Sequence, residues 1–276
     1  MTTPTGPQTR RRRQARTAEV LHTTWLTPAM IRLGLGGEGL AGFDAGEFTD
    51  HYVKLQFPPP GAPYSVPFDH DAVRALPREQ QPVLRTYSVR DWDADRGRLT
   101  LDFVVHGDTG IAGPWALSAR PGDLVALRGP GGAFVPDPDA DWHLMVGDES
   151  ALPAIGASLA RVPAGVPVHV VALVDGPDGE LALETPGALS VTWVHRGPDP
   201  DALLRAVRGL AFPAGRVCAF VHGEAAETRA VRKHLLAERG VPRPALSVSG
   251  YWRRTFTEDG WRSSKREWNA AVEQDV

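Results

Sequence analysis

The chain has a single cysteine, Cys218, among 276 residues, so an internal disulfide is excluded. Cys218 sits in the apolar run RVCAFV, where a buried strand thiol is the expectation. No apolar run approaches the roughly 20 residues that cross a bilayer. The N-terminus reads MTTPTGPQTRRRR with no apolar segment behind its basic block, so neither membrane insertion nor export is expected, and a cytoplasmic protein is. The nine histidines are scattered and form no Cys/His cluster at metal-ligand spacing. Charge of one sign is not in excess, the formal net charge being −3. The four cations Arg10–Arg13 are only a local asymmetry, and residues 1–15 read as a solvated, disordered basic tail. Nucleic-acid binding would need basic and aromatic residues continued over a folded face, and the sequence after Arg16 turns to an ordinary mixture. Low-complexity tracts and fixed-period repeats are also lacking, since Gly and Pro are spread along the chain as turn punctuation.

What is present is enough chain for two compact domains, with 42% hydrophobic and 23% charged residues, near the averages for folded proteins. From Arg16 to about Val135 the pattern is short β-type runs separated by turn residues: MIRLGL, YVKLQF, RTYSVR, RLTLDFVVH and DLVALRG. Such runs suggest a small antiparallel barrel. Pro58 to Pro82 reads as a long loop interrupting it, because prolines cannot donate to a central ladder. After a linker at Pro136-Asp137-Pro138-Asp139 the texture changes, and continuous Val, Leu and Ile strands alternate with helical segments. That alternation predicts a parallel sheet covered on both faces.

Four segments carry candidate chemistry. Arg85-Thr86-Tyr87-Ser88-Val89-Arg90 is a predicted strand with Tyr87 on one face and Thr86 and Ser88 on the other. An aromatic ring beside a hydroxyl and two cations suits a planar ring and a diphosphate, although an ordinary amphipathic barrel strand has the same composition. Residues 105–116, His106, Gly107, Thr109, Ala112, Gly113 and Trp115 among them, give a strand, a small-residue turn and a helix start. Close backbone approach by an anion is plausible there, and a purely geometric turn is the competing reading. Gly147-Asp148-Glu149-Ser150 follows the first strand of the α/β half, where open parallel sheets bind nucleotides, but GxGxxG is absent and an Asp-Glu pair facing a pyrophosphate would repel it. The C-terminal segment from Gly250 to Trp268 holds three tryptophans and five cations, and its last stretch predicts an amphipathic helix.

Taken together, the motifs Arg-x-Tyr-Ser-x-Arg, His-Gly leading to Trp-Ala, Gly-Asp-Glu-Ser-Ala-x-Pro-Ala and Gly-Tyr-Trp-Arg, in this order, resemble the siderophore-interacting protein family of FAD-dependent ferric-siderophore reductases. The likeness runs from about Arg16 to Trp268. It implies a six-stranded antiparallel barrel of Greek-key type over residues 16–137 that binds FAD, then a Rossmann-like parallel-sheet domain over 141–276 that binds the nicotinamide donor and ends in a helix. It further implies an FAD site formed by Arg85, Thr86, Tyr87, Ser88, Arg90, His106, Gly107, Thr109, Ala112, Gly113 and Trp115, with Tyr87 against the ring, Arg85 towards the diphosphate and Trp252 near the ring. Asp148, Glu149 and Ser150 would face the nicotinamide. Lys54, Lys265 and Arg254 look like the positive pocket for an anionic siderophore. The chain departs from the family pattern at His222, where alanine is common, and at Gly131, where a basic residue is frequent. The implied activity moves electrons from NADH or NADPH, or from a ferredoxin, through FAD to siderophore-bound Fe(III), in a chain expected to be monomeric. Two rivals stay open: a flavin-dependent reductase for another acceptor, and a siderophore-binding protein without redox function. Arg196 and Arg253 are both candidates for meeting a 2′-phosphate, which leaves NADH against NADPH undecided.

Overall fold

The computed structural model describes residues 15–105, 107 and 110–275; the arginine block of the N-terminus, His106 and Thr109 lie outside the described residues. The six strands of the first half are β1 (Arg16–Thr27), β2 (Met30–Gly36), β3 (Tyr52–Phe57), β4 (Val83–Asp93), β5 (Arg98–Val104) and β6 (Leu124–Gly131). They close in the order β1-β2-β5-β4-β3-β6, and every pairing is antiparallel. Side-chain alternation explains the closure: Val53 and Leu55 of β3 are fully buried inside the barrel, while Lys54 between them faces out. Val20, Leu33, Leu35, Val89, Leu99, Leu101, Phe103 and Leu127 complete that core. The loop between β3 and β4 carries one short α-helix, α1 (His70–Arg74), whose first amides are capped by the Asp69 carboxylate, and a single 3-10 turn at Arg78–Gln80. Helix α2 (Ala112–Ser118) lies between β5 and β6.

The second half is a five-stranded parallel sheet, ordered β11-β10-β7-β8-β9, built from β7 (Trp142–Asp148), β8 (Pro167–Val174), β9 (Ala188–His195), β10 (Val217–Glu224) and β11 (Leu246–Trp252). Its helices are α3 (Leu152–Leu159), α4 (Ala202–Arg208), α5 (Ala225–Ala237) and the long terminal α6 (Glu258–Gln274). Every residue of β7 and β10 is buried, as strands covered on both faces require. Strand β9 at the edge alternates instead, and no α-helix joins it to β8. Cys218 is buried in β10, as its apolar run predicts.

The two halves share a core. Met30 of the barrel packs with Ile155, Val170 and Phe220 on the α3 face of the sheet. A buried hydrogen bond of 2.8 Å joins the hydroxyls of Thr49 and Ser158 across the same junction. Among the described residues no helix is long and apolar enough to cross a membrane, and no group of three or more His, Cys, Asp or Glu side chains is arranged to hold a metal ion.

Candidate functional site

Strand β4 presents its two faces as the alternation predicts. Tyr87 lies opposite Val53 and Arg85 opposite Leu55, whereas Thr86 and Ser88 lie opposite Lys54 and Tyr52. The Tyr87 ring is 4.1 Å, centroid to centroid, from Phe103, which is 5.9 Å from Trp115, which is in turn 5.4 Å from Phe57. Burial pushes the Tyr87 phenol well above its ordinary range, so this aromatic wall is neutral at any physiological pH. Arg85 is not free. Its Nε lies 2.9 Å from a Glu258 carboxylate oxygen in an ion pair, and its guanidinium donates to Asp259 at 3.5 Å, both on the first turn of α6. Burial raises the pKa of Glu258, against the opposing pull of the Arg85 charge.

These residues fit FAD. Arg85, its side chain only 12% exposed, already holds anionic oxygens of the kind a diphosphate offers. A side chain added at Gly107 or Gly113 would meet no atom within 4 Å, so the backbone around the start of α2 is open to close approach. Ala112 opens α2 and Trp115 belongs to the aromatic wall. Arg90, the last residue of the motif, reaches towards the second half. It packs against Gly156 of α3, where any Cβ would stand 2.8 Å from its Nε, and so serves the junction between the halves.

Lys54 and Lys265 are brought together from β3 and α6. The Lys265 ammonium is pushed below its ordinary range by burial and then by the charge of Lys54, and its Nζ stands 3.4 Å from the Ser249 hydroxyl. Among the described residues no carboxylate lies within ion-pair distance of either lysine. Gly131 has a steric reason: a Cβ there would come within 2.7 Å of the Tyr52 ring. A cation the sequence reading did not single out, Arg128 of β6, is instead paired with Lys54 across the ladder and lines a cavity of about 260 Å³ with Gln56 and Arg74. Its signal was its place on the outward face of DLVALRG.

At the carboxyl ends of the parallel strands the expected nicotinamide-facing residues divide. Asp148 is turned inward: one oxygen accepts from the Ser150 N–H (2.9 Å) and hydroxyl (2.5 Å), the other from the Glu224 N–H (2.8 Å) and the Trp252 indole N–H (2.7 Å). The carboxylate thereby escapes the repulsion that a pyrophosphate would impose, and it commits Ser150 and Trp252 to itself. Gly223, at φ +140°, is needed beside it, since a Cβ would stand 2.9 Å from the carboxylate. Glu149 pairs with Arg196 at 2.6 Å, and burial lifts its pKa to about 7 despite that partner. Arg196 also holds Asp175 at 2.8 Å, and Arg254 holds Glu227 at 2.5 Å. Arg196, Arg254, Asp199 and Glu227 line a cleft of about 160 Å³, so the structure groups Arg254 with this cleft and not with Lys54 and Lys265. Arg253 lies over the Phe256 ring at 4.4 Å.

Between these two areas runs a buried polar chain that spacing in the sequence does not reveal. His222 Nδ1 is 3.0 Å from the Tyr251 hydroxyl and Nε2 is 2.9 Å from the Ser247 hydroxyl. The imidazole is stacked on Phe220 at 3.7 Å, and burial drops its pKa to about 3.

A closed antiparallel barrel joined to a parallel sheet, with an aromatic and arginine-bearing strand at their junction, is the architecture of the ferredoxin-reductase class of flavoproteins. Residues 19–134 match the model of the siderophore-interacting FAD-binding domain and residues 140–255 that of the siderophore-interacting protein. The chain belongs to the siderophore-interacting protein family. It is 32% identical over 257 residues to the ferric vibriobactin reductase of Vibrio cholerae, covering 91% of this chain and 93% of that one. It is 30% identical over 254 residues to the NADPH-dependent ferric-chelate reductase of Escherichia coli, covering 91% and 98%. The solved siderophore-interacting protein of Aeromonas hydrophila superposes with a TM-score of 0.80 at 28% identity, over 94% of this chain and 99% of that one. A flavin-dependent oxidoreductase of the ferric-reductase type is therefore the class to which fold, site and relatives belong.

Proposed function

We propose that this chain carries electrons from NADH or NADPH through FAD to the Fe(III) of an anionic siderophore complex, releasing Fe(II). The observation that carries the reading is the meeting of an aromatic wall and an anion-holding arginine, Tyr87 and Arg85 of β4, with Lys54 of the adjoining strand β3 and Lys265 of α6, neither of which has a carboxylate partner. Bound FAD supplies the change from two-electron to one-electron traffic. Arg85 would hold the diphosphate, Tyr87 would lie against the ring, and the Ser88 hydroxyl would meet the ring edge. Lys54 and Lys265 attract the chelate, whose hard oxygen ligands favour Fe(III) and loosen on reduction. The iron is cargo, and the protein needs to supply no ligand to it. The cleft bounded by Arg196 and Arg254 is the candidate seat for the nicotinamide donor, in keeping with the usual position of nucleotides at the carboxyl ends of parallel strands.

The test is anaerobic. The FAD-loaded protein is mixed with NADH, with NADPH and with reduced ferredoxin, then with a panel of ferric siderophores, while Fe(II) is trapped. Fe(II) appearing only after flavin reduction supports the reading. A chain that takes up no FAD sinks the reductase assignment. One whose flavin is reduced but passes nothing to any ferric siderophore sinks the acceptor assignment.

A further inference from the structure

We infer that the outer face of the barrel carries an oxyanion site beside the lysine pair, a cavity between β3, β4, β6 and α1 that seats a hydroxycarboxylate arm of the ferric chelate. The cavity, about 260 Å³, is lined by Gln56, Arg74, Gln81 and Arg128, with Val73, Pro82 and Leu84 as its apolar wall. Its place follows from strand alternation. Gln56 is the next outward residue after Lys54 on β3, Arg128 faces Lys54 across the ladder from β6, and Leu84 faces Gln56 from β4. A group seated in the cavity is about 7 Å along the strand from Lys54, within reach of one chelate.

The polar atoms that line it are short of partners. Gln56 is 3% exposed, yet its Oε1 has no hydrogen-bond partner, and neither has the buried Nε of Arg128. Among the described residues no carboxylate is ion-paired with Arg128 or Arg74. His70, which opens α1, has a buried Nδ1 without a partner and is held below its ordinary pKa by burial and then by the charge of Arg128. Asp69 and Asp71 act on His70 in the opposite sense, but the Asp69 carboxylate is already spent on the α1 amides. Gln81 braces the site: its Nε2 donates to the Arg74 carbonyl at 3.1 Å and to the Leu76 carbonyl at 2.9 Å, tying the end of α1 to the chain that enters β4.

The donor set defines the ligand. Two planar, forked guanidiniums suit a carboxylate. A buried amide oxygen without a donor suits a hydroxyl. An α-hydroxycarboxylate offers both on neighbouring atoms, and its methylene stem suits Val73, Pro82 and Leu84. A bare carboxylate leaves Gln56 unsatisfied, and a neutral amide leaves the arginines so. The anion site stands on these residues alone, whereas its assignment to the ferric chelate rests on the proposed function. The ribose hydroxyls and diphosphate of FAD offer the same chemistry, and the test separates the two sources.

Isothermal titration of the full chain without FAD tests the site, the probes being citrate and tricarballylate, which has the same carboxylates and no hydroxyl. Citrate should bind about 3- to 10-fold more tightly than tricarballylate, the share of one hydrogen bond. Arg128→Gln should weaken both by about 10-fold or more. Gln56→Leu should bring citrate down to tricarballylate, and Lys54→Ala should leave the preference for citrate in place. Equal affinities for the two probes in wild type overturn the site without any variant, and so do wild-type affinities in Arg128→Gln or a lost preference in Lys54→Ala. FAD should bind Arg128→Gln as it binds wild type. A drop matching that for citrate, with FAD displacing citrate from wild type, gives the cavity to the cofactor and overturns the chelate assignment. Last, reduced, FAD-loaded protein is mixed with ferric citrate while Fe(II) is trapped, and Arg128→Gln should raise KM about 10-fold. No Fe(II) from any ferric chelate overturns the acceptor reading and the chelate assignment with it, whereas Fe(II) released at wild-type KM in Arg128→Gln overturns the chelate assignment alone.

Discussion

The barrel face around β3 and the cleft at the carboxyl ends of the parallel sheet both gather cations, yet they do opposite things with them. In the cleft Arg196 is shared between Glu149 and Asp175, Arg254 is held by Glu227, and Arg205 is bonded to Asp199. On the barrel face Lys54 and Lys265 have each other for a neighbour, and Arg128 stands across from Lys54. Bringing like charges together in a half-buried place costs stability unless an anion arrives. A paired cleft is ready to hold its own shape, while an unpaired face is ready to bind. On the proposed function, the two lysines, and not the larger number of arginines in the cleft, would seat the anionic substrate.

The largest effect should come from the unpaired side. The double substitution Lys54→Ala with Lys265→Ala should lower kcat/KM for a ferric siderophore by ~10-fold or more, consistent with loss of a buried charge contact. FAD content and the rate of flavin reduction should stay unchanged, and the salt dependence of turnover should flatten. If turnover persists, the contrast between the two regions fails as a guide to the substrate.

Next in size is the anchor of the paired side. Asp148→Ala removes a buried acceptor of four hydrogen bonds and strands the Glu224 amide and the Trp252 indole. Urea unfolding should report a loss of about 3 kcal/mol. A loss near zero would mean that Asp148 faces a ligand and not the fold.

The pH dependence of stability separates the regions in sign. The folded-state pKa of His222, about 3, lies below its unfolded value near 6.5, so protonation favours unfolding. Stability should fall as pH drops below about 6.5, by up to about 1.4 kcal/mol per unit, and His222→Gln should remove that slope. Glu149 runs the other way. Its folded-state pKa of about 7 lies above its unfolded value, so its contribution is fully present below about 4.3 and is lost as pH rises through about 7. Denaturation midpoints of wild type, His222→Gln and Glu149→Gln between about pH 3 and pH 8, spanning both windows, check the two signs.

The smallest effect concerns Arg85. Glu258→Gln with Asp259→Asn frees its guanidinium and should tighten FAD binding a few-fold, because partly exposed ion pairs are worth about 1 kcal/mol or less. Isothermal titration of apoprotein with FAD measures it. Weaker binding would show that the acidic turn of α6 supports the cofactor instead of competing with it.

Much of the fold was legible because local patterns and tertiary demands agree. YVKLQF alternates so regularly that β3 runs from Tyr52 to Phe57, and WHLMVGD is apolar enough that β7 is buried on both faces. The two faces of β4 followed from alternation alone. The site was legible only in part. Lys54 lies close enough to Lys265 to lower its pKa, Arg90 lies against Gly156 of α3, Arg254 lines the cleft, and Asp148 binds the fold to itself. Nothing in Gly147-Asp148-Glu149 distinguishes a carboxylate turned inward from one turned out, because that depends on the Glu224 amide and the Trp252 indole arriving from β10 and β11.

The sequence by itself determined the two-part architecture, the strand that carries Tyr87 and the face on which it sits, since periodicity and turn chemistry act over a few residues and need no partner. Only the tertiary structure decided which charges are paired, where Arg85 rests, and that Tyr251, His222 and Ser247 form one chain. Hydrogen bonds and ion pairs act over about 3 Å, and residues far apart in sequence come within that range only after the barrel has closed and packed against the sheet.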